Sequence, residues 1–173
     1  MKKVVGALFI LLIVAAGCKK VNELFTFDIS DSQNIKIPAS GILNVPVISP
    51  VPVTMNSEET FQNNHTNANL VKDVKLNKLT LTITDPATEN FNFLKSINIW
   101  IGTDQNDKVP LASLDNVPAD VSVIELISDQ QKLDKYIKAS SYTLYTEVSL
   151  KSNVAKDLNI RADSRFRVTA DPL

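Results

Sequence analysis

Apolar and polar side chains alternate along most of the chain, which is the pattern of half-buried β-strands. Strands are predicted at residues 24–29, 35–37, 71–84, 97–101, 109–114, 121–127, 142–150 and 158–170. One short amphipathic helix is predicted where Leu133, Tyr136 and Ile137 follow a capping-box motif at 128–131. About eight short strands with one helix predict an all-β protein, an antiparallel immunoglobulin-like β-sandwich.

Three stretches interrupt this alternation and predict local features of the sheets. The proline-rich stretch 45–53 can only be an edge strand or a crossover, because proline donates no backbone hydrogen bond. The alternation changes phase within 71–84, which predicts a β-bulge near Asn77 and Lys78. Residues 57–59 predict a helical turn on a mobile loop, since little that is apolar follows them.

The first residues of the chain form a signal-peptide pattern. Lys2 and Lys3 precede an uncharged apolar run at residues 4–16, which is shorter than the roughly 20 residues that a membrane-spanning helix needs. Small residues then lead to Gly17 and Cys18, the only cysteine of the chain. This segment resembles the lipobox of bacterial lipoproteins, although Ala15 takes the place of the usual leucine.

The resemblance implies that the signal is cut between Gly17 and Cys18 and that Cys18 carries the lipid, such as palmitate, that anchors the protein to a membrane. Two acyl chains on one residue suffice for stable anchoring. Lys19 is not the aspartate that retains lipoproteins at the inner membrane, so the resemblance implies attachment to the outer membrane. It favours a domain that faces the periplasm over one exposed on the cell surface. The alternative is an ordinary secreted protein with Cys18 as a free thiol.

The predicted organisation is a signal peptide at 1–17, a lipidated cysteine and short tether at 18–23, and a single β-sandwich domain at 24–173. The chain has 18 basic and 19 acidic residues, and loss of Lys2 and Lys3 with the signal leaves a net charge of −3. That balance argues against a nucleic-acid partner, which needs a basic patch. With one cysteine, the core must hold without an intrachain disulfide.

Candidate catalytic and metal-binding groups are few. His65 is the only histidine and lies among Asn and Thr residues, so we expect a solvated loop residue and no catalytic residues. The acidic turn from Asp104 to Asp107 resembles a calcium loop but lacks the glycine and the distal glutamate of an EF-hand. Adjacent Glu58 and Glu59 fit a helix start better than a catalytic pair. We therefore predict no enzyme, no cofactor and no metal.

Two aromatic residues are the candidate ligand-binding residues. Trp100 and Tyr145 fall out of phase with the apolar residues of their strands, so both are predicted on outward sheet faces, where flat rings can bind sugars or a protein partner. If the two strands are neighbours, the rings form one platform. The alternative, which we favour at this stage, is that Trp100 lies under the helix at 129–139 and belongs to the core.

The stretch from 79 to 101 resembles a loose class of uncharacterised bacterial lipoproteins with immunoglobulin-like sandwiches. Its threonine-alternating strand, Asp-Pro break and isoleucine strand carry that resemblance, which implies a fold and no site residues. We therefore expect a membrane-anchored envelope lipoprotein that acts as a non-enzymatic binding or structural module. The alternatives are a carbohydrate-binding lipoprotein that uses Trp100 and Tyr145, whose partner is a glycan, and a subunit of a larger envelope complex, whose partner is a protein.

Overall fold

The computed structural model of the protein describes residues 25–39 and 47–171. The predicted signal peptide, its cleavage site at Gly17 and Cys18, and the tether lie outside the described residues. Among the described residues, no helix is both long and apolar enough to cross a membrane.

Nine strands and two short helices make up the described chain. The strands are β1 (Thr26–Ile37), β2 (Val47–Thr54), β3 (Val71–Asp85), β4 (Leu94–Gly102), β5 (Val109–Asp115), β6 (Val123–Glu125), β7 (Ile127–Ser128), β8 (Ser141–Leu150) and β9 (Leu158–Ala170). The α-helices are α1 (Ser57–Asn63) and α2 (Asp134–Ile137), and short 3-10 turns lie at Ala68–Leu70 and Phe91–Phe93.

The strands form two antiparallel sheets. One sheet has four strands in the order β1-β9-β3-β6, and the other has five in the order β2-β8-β4-β5-β7. Their inward faces pack against each other, which confirms the predicted antiparallel β-sandwich. Every described strand lies between residues 26 and 170, so a fragment of residues 19–173 contains both sheets and their common core.

Alternate residues of each long strand form that core. In β9 the buried residues include Phe166 and Val168, while Arg165 and Arg167 between them are exposed. Phe166 meets Tyr142 of the opposite sheet edge-on, with ring centroids 6.4 Å apart. The two-residue period of the sequence therefore corresponds directly to the inner and outer faces of the sheets.

Several local predictions are confirmed and others are corrected. The proline-rich stretch is the edge strand β2, and the register of β3 against β9 shifts between Leu76 and Lys78, where the bulge was predicted. The runs at 24–29 and 35–37 are one continuous strand, β1, because β9 pairs along its whole length. The helix predicted at 129–139 is only the four-residue α2, and α1 adds a second helix that anchors the loop by burying Phe61.

Candidate functional site: an aromatic row on the five-stranded sheet

Trp100 and Tyr145 lie opposite each other on paired strands. The register of β4 against β8 places Trp100 across from Tyr145. Ile99 and Ile101 flank Trp100 and are buried in the core, at 3% and 0% exposure. Because successive side chains of a strand point to opposite faces, both aromatic side chains lie on the outward face of the five-stranded sheet.

Two prolines extend this pair across four strands. Pro50 of β2 lies opposite Tyr145, and Pro110 of β5 lies opposite Trp100. We call Pro50, Tyr145, Trp100 and Pro110 the aromatic row. Proline rings are compact and apolar, so the row forms a strip of low polarity across the sheet, at right angles to the strands.

The members of the row differ in exposure. Both prolines are exposed and Trp100 is half-buried, but Tyr145 is only 7% exposed. Tyr145 therefore faces outward as predicted, but its side chain is buried and not exposed. The favoured alternative for Trp100 is wrong: α2 closes one end of the sandwich against β3 and β8, and Trp100 lies on the sheet face outside the core.

Lys108 lies over both rings of the pair. Its ammonium nitrogen is 5.7 Å from the ring centroid of Trp100 and 5.7 Å from that of Tyr145. This is within the range of a cation–π interaction, in which the positive charge is attracted to the electron-rich ring face. A ligand that stacks on these rings must therefore displace the Lys108 side chain or bind beside it.

The turn before Lys108 is fixed by Asp107. The Asp107 carboxylate accepts hydrogen bonds from the backbone N–H groups of Asp104 and Thr103, at 3.0 and 2.8 Å, and from the Thr103 hydroxyl. Lys135 of α2 donates to it at 2.6 Å. Gly102 begins the turn, and a Cβ there would lie 2.7 Å from the Asp104 carbonyl oxygen, so a side chain is excluded.

These contacts shift the pKa values of Asp107 and Lys135. The hydrogen bond from the Asp104 backbone, followed by those from Lys135 and Thr103, holds the pKa of Asp107 well below its usual range. In return, the bond to Asp107 raises the pKa of Lys135. Asp107 is thus an acceptor saturated by four donors, which leaves it poorly suited to the calcium site considered for this turn.

Polar side chains lie beside the row on the same face. Asn98 precedes Trp100 by two residues on β4, and its register partners are Glu147 of β8 and Ser113 of β5. All three are partly exposed. Among the described residues none of them has a side-chain hydrogen bond, so an amide, a carboxylate and a hydroxyl are available at the border of the apolar strip.

The other candidates lie apart from one another. His65 is exposed just after α1, with a left-handed backbone φ of 53°. Glu58 and Glu59 occupy the first turn of α1, where acidic side chains favour the helix dipole. Within the residues that the structure describes, no three His, Cys, Asp or Glu side chains gather as metal ligands would.

Comparisons with known proteins add little to this geometry. The chain matches no protein-family model, and no curated protein matches it. It is similar to solved structures of Desmodium yellow mottle tymovirus, at 13% identity over 86% of this chain and 90% of that chain with a TM-score of 0.29, and of turnip yellow mosaic virus, at 10% identity over 85% and 94% with a TM-score of 0.30. Scores this low carry no argument about function.

Sequence reasoning missed Lys108 and the two prolines of the row. Pro50 and Pro110 were visible as strand prolines, but only the pairing of four strands shows that they align with the aromatic pair. Lys108 lies outside any strand, in the segment before β5, and the sequence contained no signal that it lies over the rings.

Proposed function

We propose that this chain is a lipid-anchored module of the bacterial cell envelope that binds a carbohydrate on the aromatic row and catalyses no reaction. The observation that carries the proposal is the pairing of Trp100 and Tyr145 on adjacent strands of an outward face. An apolar strip with a partly exposed tryptophan suits the apolar face of a sugar ring, and such a strip on a surface is typical of a binding site.

The polar border of the row supports a sugar in particular. A sugar ring has hydroxyl groups around its edge that both donate and accept hydrogen bonds. Asn98 offers both functions and Glu147 accepts, while Lys108 adds a donor above the rings. A ligand stacked on Trp100 therefore has partners for its hydroxyl groups within reach of the same face.

The proposed lipid anchor is argued from the sequence alone. The short apolar run at 4–16 and the lipobox-like end at Cys18 support lipidation, outer-membrane attachment and a periplasm-facing location. Thr26, where β1 begins, is only eight residues after Cys18. Since an extended chain spans at most about 3.6 Å per residue, the sandwich would lie within about 30 Å of its lipid.

A second candidate function is that of a subunit in an envelope complex. Among the described residues, the large apolar side chains with high exposure are Val123 at 49% and Ile127 at 68%. They lie on β6 and β7, the short edge strands of the two sheets. Exposed apolar residues on edge strands favour a protein partner there.

Tryptophan fluorescence of the 19–173 fragment tests the proposed function, because Trp100 is the only tryptophan. We expect emission of intermediate wavelength that acrylamide quenches, and a saturable change on titration with soluble peptidoglycan fragments or neutral oligosaccharides. Trp100→Ala should weaken calorimetrically measured binding about tenfold, the effect of losing about 1.4 kcal/mol of stacking. Trp100→Phe should retain most of the affinity.

Two further variants sharpen the test. Lys108→Ala removes the side chain over the rings, so quenching of Trp100 should increase without loss of the fold. Arg165→Ala, on the outward face of the other sheet, is the matched control and should bind as the unaltered fragment does. Blue-shifted, unquenched emission, or glycan binding that survives Trp100→Ala, would contradict the proposal.

A further inference from the structure

The described residues line an apolar cavity of about 150 Å³ that lies between the two sheets and is partly open to solvent. Its lining comes from both sheets and from the 3-10 turn before β4. The apolar side chains that line it include those of Ile97, Ile99, Val148, Leu150, Ile160 and Phe93. Native cores normally have few voids larger than a water molecule, so apolar surface that stays accessible between two packed sheets requires an explanation.

Water is a poor occupant of this cavity. An ordered water needs two to four polar partners, and a lining of aliphatic and aromatic side chains offers few of them. The lining contains two residues with polar side chains, Lys36 and Thr146. Lys36 directs its ammonium group outward to Asp157, at 3.2 Å, with 69% of its side chain exposed, so Thr146 is the polar side chain that remains inside.

Thr146 has a hydroxyl without a partner. It lies on the inward face of β8 opposite Ile99, four residue pairs from the end of the sheet where Leu150 pairs with Leu94. Its Oγ1 atom is buried and neither donates nor accepts a hydrogen bond. A buried polar group of this kind is costly, and a turn about χ1, which exchanges staggered positions at Cβ, would direct the hydroxyl toward the cavity.

We propose that this cavity binds a small uncharged molecule whose apolar part has about six carbons and which carries one hydroxyl group. The size follows from the volume, since a cavity of about 150 Å³ lined by Leu, Ile and Phe accommodates benzene. The absence of charge follows from the lining, because no described charged group faces inward to pair with an ion. The hydroxyl follows from Thr146, whose unpaired oxygen it would satisfy.

This site is separate from the aromatic row, although both use β4 and β8. Trp100 and Tyr145 occupy the outward face of these strands, and Ile99 and Thr146 occupy the inward face. A ligand in the cavity and a glycan on the row would therefore bind on opposite sides of one sheet. Failure of either proposal leaves the other intact.

Calorimetric titration of the 19–173 fragment with phenol tests the proposal, with benzene as the analogue that lacks the hydroxyl. We expect phenol to bind about fivefold more tightly than benzene, the effect of one net hydrogen bond. Methyl-labelled NMR spectra locate the ligand, and the shifts should concentrate on Ile97, Ile99 and Val148. Shifts confined to the Trp100 indole would place phenol on the aromatic row and overturn the assignment.

Thr146→Val is the decisive variant because it keeps the shape of the side chain and removes the hydroxyl. It should bind phenol and benzene equally, whereas Thr143→Val, on the outward face of the same strand, should keep the fivefold preference. Val148→Phe fills the cavity and should abolish binding of both. If Val148→Phe fails to fold, the Thr146→Val comparison still decides.

Three results would overturn the proposal. Phenol that does not bind at millimolar concentration would show that the cavity excludes such molecules. Equal binding of phenol and benzene by the unaltered fragment would remove the role of Thr146. Binding of decanoate or a lysophospholipid in place of phenol would identify an acyl chain as the occupant.

Discussion

The outward faces of the two sheets carry different kinds of side chain, charged on one sheet and apolar on the other. On the four-stranded sheet, charged side chains pair across strands: Arg167 lies 3.3 Å from Asp28, and Lys78 lies 3.1 Å from Glu125. On the five-stranded sheet, the corresponding positions carry the aromatic row. Both faces belong to strands whose inward residues share one core, so packing of the sandwich does not account for the difference.

A solvated sheet face needs only polar side chains to remain soluble. The ion pairs of the four-stranded sheet meet that need, and exposed pairs of this kind contribute little to stability. An outward tryptophan beside a tyrosine and two prolines contributes nothing to solubility, and its partial exposure leaves apolar surface in water. The contrast therefore supports the five-stranded sheet as the face of the proposed binding site.

The largest expected effect on stability is the difference between substitutions on the inward and the outward face of the four-stranded sheet. Phe166→Ala should lower the free energy of unfolding by about 3–5 kcal/mol, because it opens a cavity in the core against Tyr142. Arg167→Ala, at the next residue of β9, should cost less than about 1 kcal/mol. Chemical denaturation of the 19–173 fragment measures both. Similar losses for the two variants would show that this outward face is structural.

The alternation of the sequence predicts much of this arrangement. It places Phe166 inward and Arg167 outward and predicts a sandwich of two sheets. It also puts Trp100 and Ile99 on different faces of β4, although the interpretation that we favoured from the sequence placed Trp100 in the core. These predictions succeed because the two-residue period of a strand depends on local geometry alone. The bulge near Lys78 was predictable for the same reason, since it interrupts that period.

The pairing of strands could not be predicted from the same signal. Trp100 and Tyr145 are 45 residues apart in sequence, and their contact depends on which strand β8 joins. Pro50, which pairs with Tyr145, and Lys108, which lies over its ring, come from two further segments. Periodicity predicts which side chains share a face of a strand but not which strands are neighbours. The aromatic row could therefore be identified only from the tertiary structure.

The second prediction compares the two outward faces directly. Trp100→Ala should cost about 1–2 kcal/mol of stability, because it removes half-buried apolar area, the cross-strand contact with Tyr145 and the cation–π contact with Lys108. Arg165→Ala, exposed on β9, should change stability by less than about 0.5 kcal/mol. Denaturant unfolding followed by circular dichroism reports both. Equal effects would remove the energetic distinction between the faces.

The smallest expected effect concerns the turn that carries Lys108 over the row. The folded-state pKa of Asp107 is lowered, first by the Asp104 backbone N–H and then by Lys135 and Thr103. A group with a lowered folded pKa stabilises the protein above its unfolded pKa of about 3.9, and this contribution is lost as the pH falls through the folded value. Stability should therefore decline below about pH 4.

Asp107→Asn isolates that contribution, because asparagine keeps an acceptor oxygen but not the charge that binds Lys135. The variant should be less stable than the unaltered fragment at pH 7, and the difference should shrink at pH 3. Acrylamide quenching of Trp100 should also increase, since the turn no longer holds Lys108 over the ring. Asp115→Asn, on exposed β5, is the control. A stability difference that does not vary between pH 7 and pH 3 would show that the Asp107 charge has no part in fixing the turn.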